Sequence, residues 1–295
     1  MVSKIISGIL FILALNFIST VNAQQSDLDI IKKTTVFIGE YNSKKEPIYH
    51  ATGFLVSIKN IFHLVTAKHV IMELIDDKFT GKLLDENYQV FFNSKEGILL
   101  SRSLTEIKNQ YKVNWIYDSN PNIDLAMIPF AIDTLHDDLR VIPDNFFLSS
   151  NKIYEVYDVF FVSFQPGLQS RNKINPIIRI GAVSLKNEDK SFFIDAFAFP
   201  GNSGSPVFLK PSFIRSDNPG IVNLGGDPYA NKFIGVIGEY LPYQEVAISV
   251  QSKRPRVVFE ENTGLSKVWS VEYINNIISS SSFQTQLNRL LQIIK

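Results

Sequence analysis

The sequence contains no cysteine among its 295 residues. No disulfide can therefore staple the fold, so the stability of the chain must come from its hydrophobic core. The chain has 23 phenylalanines, which is enough aromatic material to fill such a core. The absence of cysteine also excludes a lipid attached through a cysteine side chain.

The sequence has no excess of charge of either sign, since 29 lysines and arginines balance 29 aspartates and glutamates. Nucleic-acid binding would favour a basic excess, and attachment to a membrane surface would favour a polybasic segment. Neither is present. We therefore expect neither nucleic acid nor a membrane as a partner of the mature chain.

The first 23 residues have the pattern of a secretory signal peptide. Lys4 gives a positive start, an apolar run extends from Ile5 to Ile18, and Val21-Asn22-Ala23 offers small residues at positions −3 and −1. The alternative is a membrane anchor, but the apolar run is short for a span of ~20 residues. The pattern predicts cleavage after Ala23 and a secreted or periplasmic mature chain, residues 24–295.

Histidine is scarce, and its positions restrict the chemistry open to the chain. All four histidines precede a segment in which a serine lies between glycines and prolines, Phe199-Pro200-Gly201-Asn202-Ser203-Gly204-Ser205-Pro206. A serine hydroxyl becomes a good nucleophile only when a nearby base, usually histidine, takes its proton. Because any such histidine precedes the serine, the order of α/β-hydrolases is excluded and the order His…Asp…Ser is favoured. The order of subtilisin would require an aspartate from the extreme N-terminus.

Short runs of β-branched and aromatic residues, divided by turn residues, recur along the chain and predict strands of a sandwich or of barrels. These runs are Thr34–Ile38, Thr52–Val56, Ile61–Thr66, Gln89–Phe92, Val113–Tyr117, Leu125–Ile128, Val156–Phe164, Ile177–Leu185, Ser191–Phe197, Pro206–Leu209 and Phe233–Ile237. A polar, irregular stretch at 130–152 predicts a linker between two halves. Helical patterns occur only at Val70–Ile75 and in the tail, Val271–Lys295.

Three separated segments together resemble the chymotrypsin-like (trypsin-like) serine protease family. Leu64–Val70 contains a Thr-Ala-x-His pattern, Asn122–Ile128 contains Asp-Leu-Ala, and Gly201–Pro206 reads Gly-Asn-Ser-Gly-Ser-Pro. The resemblance covers about residues 48–278. It is to the bacterial exported type without disulfides, which includes the HtrA-like and glutamyl endopeptidase-like groups.

The resemblance implies an all-β fold of two six-stranded antiparallel β-barrels with a C-terminal helix. The first barrel would occupy residues 24–140 and contain the histidine and the aspartate. The second would occupy residues 141–295 and contain the serine and the terminal helix. The implied activity is that of a secreted serine endopeptidase acting on polypeptide substrates.

The same resemblance assigns a catalytic triad to His69, Asp124 and Ser203. His69 would act as general base toward Ser203, Asp124 would orient the imidazole, and an acyl-enzyme would form. The backbone N–H groups of Gly201 and Ser203 would form the oxyanion hole. This chemistry needs no cofactor and no metal.

Each triad residue also has a plainer interpretation. His69 could be an ordinary turn histidine, and His63 is its rival as base, although a strand surrounds His63. His50 and His136 lie in polar, loop-like surroundings. Asp124 could merely cap a turn, but an apolar run follows it directly. Ser203 could belong to an ordinary Gly-Ser turn, but the flanking prolines constrain the segment more than a casual loop requires.

Two positions in the serine segment depart from well-known members of the family. Ser205 replaces the usual second glycine, which bears on the geometry of the turn. Asn202 stands where digestive enzymes have an aspartate that pairs with a newly freed N-terminal amine. Because Asn202 carries no charge, we expect no activation by propeptide cleavage through that ion pair.

Specificity is predicted from family spacing alone. Phe197, six residues before the serine, would form the floor of the specificity pocket, and Gly238, Glu239 and Tyr240 would form its wall. An apolar floor with a bulky phenylalanine argues against a preference for lysine or arginine and favours small or apolar side chains.

Two other functions are compatible with the sequence. A protease fold can be retained as a catalytically inactive binding module, although the complete set of His, Asp and Ser argues against decay. An esterase can use the same triad, and the sequence does not separate ester from amide substrates.

Overall fold

A computed structural model of the protein describes residues 27–165, 167–168, 172–212 and 227–294. The predicted signal peptide, residues 1–23, lies outside these ranges. The first described residues, 27–32, form a short helical turn before the strands begin. Across the described ranges, no helix has both the length and the apolar character needed to span a membrane.

The first half of the chain forms an eight-stranded sheet and a separate two-stranded sheet. Its strands in chain order are β1 (Thr35–Tyr41), β2 (Pro47–Ile58), β3 (Ile61–Thr66), β4 (Met72–Ile75), β5 (Lys78–Leu83), β6 (Gln89–Asn93), β7 (Leu99–Ser103), β8 (Ile116–Tyr117), β9 (Ala126–Pro129) and β10 (Ile142–Pro143). Hydrogen-bonded neighbours follow the order β7-β6-β1-β2-β3-β9-β8, with β10 parallel to β2 and with β4 paired to β5. This order places β3 beside β9.

The second half forms a closed barrel with the strand order β11-β12-β13-β16-β15-β14. Its strands are β11 (Asp158–Ser163), β12 (Ile177–Lys186), β13 (Phe192–Asp195), β14 (Pro206–Leu209), β15 (Phe233–Ile248) and β16 (Pro255–Ser270). The last two strands are longer than the barrel requires. Residues 239–262 of this hairpin are mostly exposed and form a two-stranded arm.

The core is continuous between the two halves. All four residues of β9 are buried, as are residues 51–56 of β2, so these strands pass through the core. β-Branched and aromatic side chains suit such a pleated, covered surface. One hydrophobic cluster joins these strands to Phe233, Val236 and Trp269 of the second half. The halves therefore bury one shared surface.

After residue 32, the described part of the chain has four α-helices, α1 (Lys68–Ile71), α2 (Leu104–Tyr111), α3 (Val271–Ser279) and α4 (Ser281–Ile294), and three short 3-10 helices, Asp85–Asn87, Asp144–Phe146 and Ser150–Lys152. The predicted single tail helix is two helices, because Ser280 adopts an extended backbone with ψ of 149°. The Ser280 hydroxyl then accepts from the N–H of Phe283 (3.3 Å) at the start of α4. Phe283, Leu287 and Leu290 of α4 join the core cluster of the first half.

The all-β, chymotrypsin-like prediction is confirmed, and the second half is the predicted six-stranded antiparallel barrel. The first half differs in detail, because seven strands of its sheet follow a path that does not return on itself, and an eighth, β10, pairs in parallel with β2 off that path. The boundary at residue 140 stays a prediction. The short strand β10, at Ile142–Pro143, still belongs to the first sheet, and helix α4 packs on that sheet.

In the first half of the chain, one predicted helix is wrong and one helix of the structure was not predicted. The apolar run Val70–Ile75 is divided between the end of α1 and strand β4, which pairs with β5. Helix α2 was missed, although Ser103 and Glu106 form the Ser-x-x-Glu pattern of a helix start. In the structure the Ser103 hydroxyl accepts from the N–H of Glu106 at 3.3 Å.

Candidate active site

His69 lies directly after the end of β3. Ala67 precedes the four-residue helix α1, which contains the histidine. The backbone N–H of His69 donates to Oδ1 of Asp124 (2.8 Å), and ring Nδ1 lies 2.7 Å from Oδ2 of the same carboxylate. One carboxylate thus fixes both the backbone and the ring. With its proton on Nδ1, the neutral ring presents Nε2 as the proton acceptor.

Asp124 reaches the histidine because β3 and β9 are antiparallel neighbours. Thr66 at the end of β3 pairs with Ala126 at the start of β9, so the residues just outside these strand ends lie side by side. The loop before Asp124 is ordered by Asn120, whose side-chain oxygen accepts from the N–H of Asn122 at 3.0 Å. Short polar side chains commonly stabilise such turns.

Burial lowers the pKa of His69, whereas the charge of Asp124, its hydrogen bond and the charge of Glu239 raise that pKa. The net effect is a pKa above the ordinary value of 6.5. The Asp124 side chain is only 15% exposed, so solvent screens its charge weakly. The site therefore favours the imidazolium form that a general base acquires after taking a proton.

The turn that contains Ser203 needs glycine on both sides. Gly201 has φ of 98° and Gly204 has φ of 84°, a region that other residues rarely adopt. A Cβ at Gly201 would lie 2.5 Å from the ring of Phe164, and one at Gly204 would lie 2.2 Å from the carbonyl oxygen of Thr52. The turn is therefore pressed against the protein body.

Asn202 fixes the turn from inside. Its side chain is fully buried, and its amide nitrogen donates to the carbonyl of Phe164 (2.5 Å) and to the hydroxyl of Ser163 (3.2 Å). Its amide oxygen accepts from the N–H of Phe199 at 2.9 Å. These contacts use a neutral side chain and leave no charge for an N-terminal amine to pair with.

The backbone N–H groups of Gly201 and Ser203 have no acceptor among the described residues. Their neighbours are paired, because the N–H of Asn202 donates to Phe199 and that of Gly204 donates to Ile237. Unpaired, fixed N–H groups beside a serine hydroxyl are what an oxyanion hole requires.

A pocket of about 280 Å³ lies over this turn and contains both His69 and Ser203 on its wall. No hydrogen bond joins the Ser203 hydroxyl to the His69 ring within the described part of the chain. Catalytic hydrogen bonds often tighten only when substrate binds, so a shared pocket is compatible with catalysis. Besides His69 and Ser203, the pocket wall contains the acidic residues Glu239 and Glu260.

Residues 51–211, more than half of the chain, match the family described as trypsin-like peptidase domain. The chain belongs to this family. The family is described as one of peptidase domains. The matched range begins in β2 and contains His69, Asp124 and Ser203.

A solved structure, that of the serine endoprotease from Yersinia pestis, is similar to 86% of this chain at 13% identity and a TM-score of 0.45. The chain spans 64% of the length of that protein. No curated protein sequence gave a significant match.

Ser205 is the departure of this peptidase domain from the usual serine motif. Its side chain is fully buried, and its hydroxyl has no hydrogen-bond partner among the described residues. The backbone N–H of Ser205 donates to the carbonyl of Asn202 at 3.0 Å, and that of Gly204 donates to Ile237 at 2.8 Å. The added hydroxyl is therefore accommodated without opening the turn.

The predicted specificity residues separate into two groups. Gly238, Glu239 and Tyr240 lie around the pocket. Phe197 does not line this pocket and has 52% of its surface exposed, so its role as a pocket floor stays a prediction. The exposure reflects alternation after β13, since Ala196 and Ala198 point inward and the intervening side chain must point outward.

The other histidines occupy different environments from His69. His63 is 1% exposed inside β3, and its Nδ1 lies 3.0 Å from the carbonyl oxygen of Ile61. His50 lies 3.5 Å from Glu40 at the surface, and exposed His136 contacts Asp133. Only His69 lies in the pocket with Ser203.

Three features of the site were not found in the sequence. Glu260 reaches the pocket from β16, where the Tyr240 hydroxyl donates to it at 2.5 Å, and no motif marks it. Leu74 of β4 lines the pocket from the first half. Lys68, next to the histidine, is buried, and its ammonium lies 4.0 Å from the ring centroid of Phe79. Its pKa is lowered by burial, against the charges of nearby aspartates.

Proposed function

We propose that the chain is a secreted serine endopeptidase that cleaves polypeptides through His69, Asp124 and Ser203. The proposal rests on how one pocket brings a histidine and a serine together. A histidine held by both oxygens of a partly buried carboxylate shares the pocket wall with a serine on a glycine-flanked turn. The signal-like residues 1–23 support export.

In the acylation step, Ser203 Oγ forms a bond to the carbonyl carbon of the scissile peptide while its proton passes to Nε2 of His69. The carbonyl oxygen becomes an oxyanion and accepts hydrogen bonds from the N–H groups of Gly201 and Ser203. Asp124 stabilises the resulting imidazolium through the 2.7 Å contact at Nδ1.

The tetrahedral intermediate then collapses. The C–N bond breaks, and His69 returns its proton to the leaving amine, which leaves an ester between the substrate acyl group and Ser203. A water molecule gives a proton to His69 as it attacks this ester. The bond to Ser203 Oγ breaks, the serine regains its proton, and the carboxylic acid product leaves.

The charge of the pocket supports a substrate class. Its described polar groups include two carboxylates, from Glu239 and Glu260, and it contains no lysine or arginine. An acidic substrate side chain would be repelled there. The apolar residues Ala198, Phe199 and Ile237 line the remainder. Peptides with neutral or basic residues beside the scissile bond are therefore the favoured substrates, and acidic residues are disfavoured.

The proposal is tested with a fluorophosphonate probe, which reacts covalently with an activated serine. Wild-type protein should be labelled and should hydrolyse an unfolded polypeptide, and Ser203→Ala should lose both activities while remaining folded. Ser205→Ala is the matched control, because it removes a neighbouring hydroxyl that has no partner among the described residues.

Labelling that survives in Ser203→Ala, or is lost only in Ser205→Ala, would refute the assignment of the nucleophile. Folded wild-type protein that neither reacts with the probe nor hydrolyses polypeptide would favour a binding module. Hydrolysis of esters without hydrolysis of amides would favour an esterase.

A further inference from the structure

Thr52 of β2 forms hydrogen bonds to the turn that contains Ser203 through both its side chain and its backbone. Its side chain is fully buried, although threonine is a polar residue. It belongs to the first half of the chain, whereas the turn belongs to the second half. No sequence motif marked this residue for a role in the site.

The Thr52 hydroxyl bridges two segments of the second half. It donates to the carbonyl oxygen of Gly201 at 2.8 Å and accepts from the N–H of Phe164 at 2.9 Å. Both bonds span more than a hundred residues of sequence. The hydroxyl thus both donates and accepts a hydrogen bond, and these two partners fix its direction.

The backbone of Thr52 adds two further contacts. Its N–H donates to the carbonyl oxygen of Ser203 at 3.1 Å. Its carbonyl accepts from the hydroxyl of Thr66 at 2.8 Å and lies 2.2 Å from the place where a Cβ of Gly204 would be. The turn therefore rests directly on Thr52 and admits no side chain at Gly204.

These bonds fix alternate peptide groups of the turn. The carbonyls of Gly201 and Ser203 point toward Thr52. The N–H groups of Gly201 and Ser203 belong to the two peptide groups that precede those carbonyls, and neither has an acceptor among the described residues. A peptide group is planar, so holding the carbonyls of Gly201 and Ser203 fixes the orientation of the two peptide groups that contain them. The peptide group that carries the Ser203 N–H lies between these two held groups.

We propose that Thr52 is a positioning residue that holds the oxyanion hole in its working orientation, through its hydroxyl bond to the Gly201 carbonyl. This inference rests on the proposed function, since it assumes that Ser203 is the nucleophile. It adds that one buried hydroxyl of the first half sets the geometry of the turn in the second half. Docking of the two halves would then be a condition for assembling the hole.

The test compares Thr52→Val, which keeps the shape but removes the hydroxyl, with Thr52→Ser, which keeps the hydroxyl. In Thr52→Val we expect kcat for a peptide substrate to fall by about 10- to 100-fold, below the roughly 10²–10³-fold cost of deleting an oxyanion donor. KM should change by less than about threefold, because the lost interaction is made only in the transition state. Thr52→Ser should recover most of kcat.

A second measurement separates positioning from general loss of stability. A peptide boronic acid forms a tetrahedral adduct with an active serine, so its affinity depends on the geometry of the oxyanion hole. A product peptide binds without forming this adduct, so its affinity does not depend on that geometry. Thr52→Val should lower the affinity for the boronic acid by about the same factor by which it lowers kcat, while the affinity for the product peptide stays nearly constant. Thermal unfolding of each variant shows whether the protein is folded during these measurements.

Thr34→Val is the matched control. Thr34 is also a buried threonine of the first half, and its hydroxyl donates to the carbonyl of Ile31 at 2.8 Å, far from the turn in sequence. This variant should lose stability without losing kcat or affinity for the boronic acid.

Three results would overturn the inference: unchanged kcat in Thr52→Val, failure of Thr52→Ser to restore it, or an equal loss of kcat in Thr34→Val. If Thr52→Val fails to fold, Thr52→Ser and Thr52→Ala still test the hydroxyl, since only the first retains it. An inactive wild-type protein would instead count against the proposed function, so the two failures are distinguishable.

Discussion

In the proposed mechanism, the protonation of one residue, His69, decides whether Ser203 can react. Only the neutral ring can accept the serine proton, and the surroundings of the ring favour the charged form. Burial lowers the pKa of His69, but Asp124 and the charge of Glu239 together raise it above 6.5. The group is therefore still protonated at a pH where a free imidazole would be neutral.

We expect the acid limb of kcat/KM to have its midpoint above pH 6.5, because activity is lost as the pH falls through a raised pKa. Glu239→Gln removes a negative charge that stabilises the imidazolium, so it should move the midpoint to lower pH and leave the plateau at high pH similar. Glu261→Gln, one residue beyond Glu260 on the exposed arm, is the control. A midpoint that Glu239→Gln leaves in place would contradict the role given to this carboxylate.

The three triad candidates were predicted from short motifs, because residues next to a strand end or inside a constrained turn leave a local pattern. The pocket wall leaves no such pattern. Glu260 and Glu239 line the same pocket only because β15 and β16 pair, so their shared position depends on the register of a long hairpin. The exposed position of Phe197 was not readable for a related reason, since counting residues from Ser203 does not say which way each side chain points.

At the scale of elements, strands were predicted better than helices. The strands bury continuous apolar runs, and such runs are visible in the sequence, as in β9 and β11. Helix α1 has only four residues, too few to show a helical period. Helix α2 does carry a readable start at Ser103, which apolar periodicity alone does not reveal. The length of the arm was not predictable, because most of its residues are exposed and no core pattern marks its end.

Helix α4 is an element whose contribution can be measured. Phe283 is 1% exposed, and its ring centroid lies 5.0 Å from that of His63 in β3. Phe283→Ala should therefore lower the free energy of unfolding by about 3–5 kcal/mol, the usual cost of removing a buried phenylalanine. Ile293→Ala, on the same helix at a side chain that is 65% exposed, should cost less than about 0.5 kcal/mol. Urea unfolding measures both, and equal effects would contradict the packing of α4 on the first half.

At the scale of the whole molecule, the halves are joined by contacts that are distant in sequence. Thr52 holds the serine turn, and α4 returns from the end of the second half to cover β3. The carboxylate of Glu272, at the start of α3, accepts from the hydroxyl of Ser149 (2.5 Å) and the N–H of Ser150 (2.7 Å) in the segment between the halves. The sequence indicated two halves, but it did not indicate these connections, because each depends on the folded arrangement of both.

His63 makes the stability of this joined structure depend on pH. It lies in β3 with its ring against Phe283 of α4. Burial lowers its pKa from 6.5 to about 4, against a smaller opposing effect of its hydrogen bond to Ile61. The unfolded chain therefore binds a proton at a higher pH than the folded chain does. The stabilisation is complete above pH 6.5 and is lost progressively as the pH falls toward 4. The loss amounts to about 3 kcal/mol, at ~1.4 kcal/mol per unit of pKa.

His63→Asn keeps a side-chain donor for the Ile61 carbonyl but cannot titrate. We expect the free energy of unfolding of this variant, measured in urea between pH 7.5 and 4.5, to fall less steeply with acid than that of wild type, even if the variant is less stable at pH 7.5. His136→Asn is the control, because contact with Asp133 raises the pKa of exposed His136 and its effect on stability has the opposite sign. If the free energies of unfolding of His63→Asn and wild type fall in parallel with pH, proton uptake by His63 on unfolding does not cause the acid sensitivity.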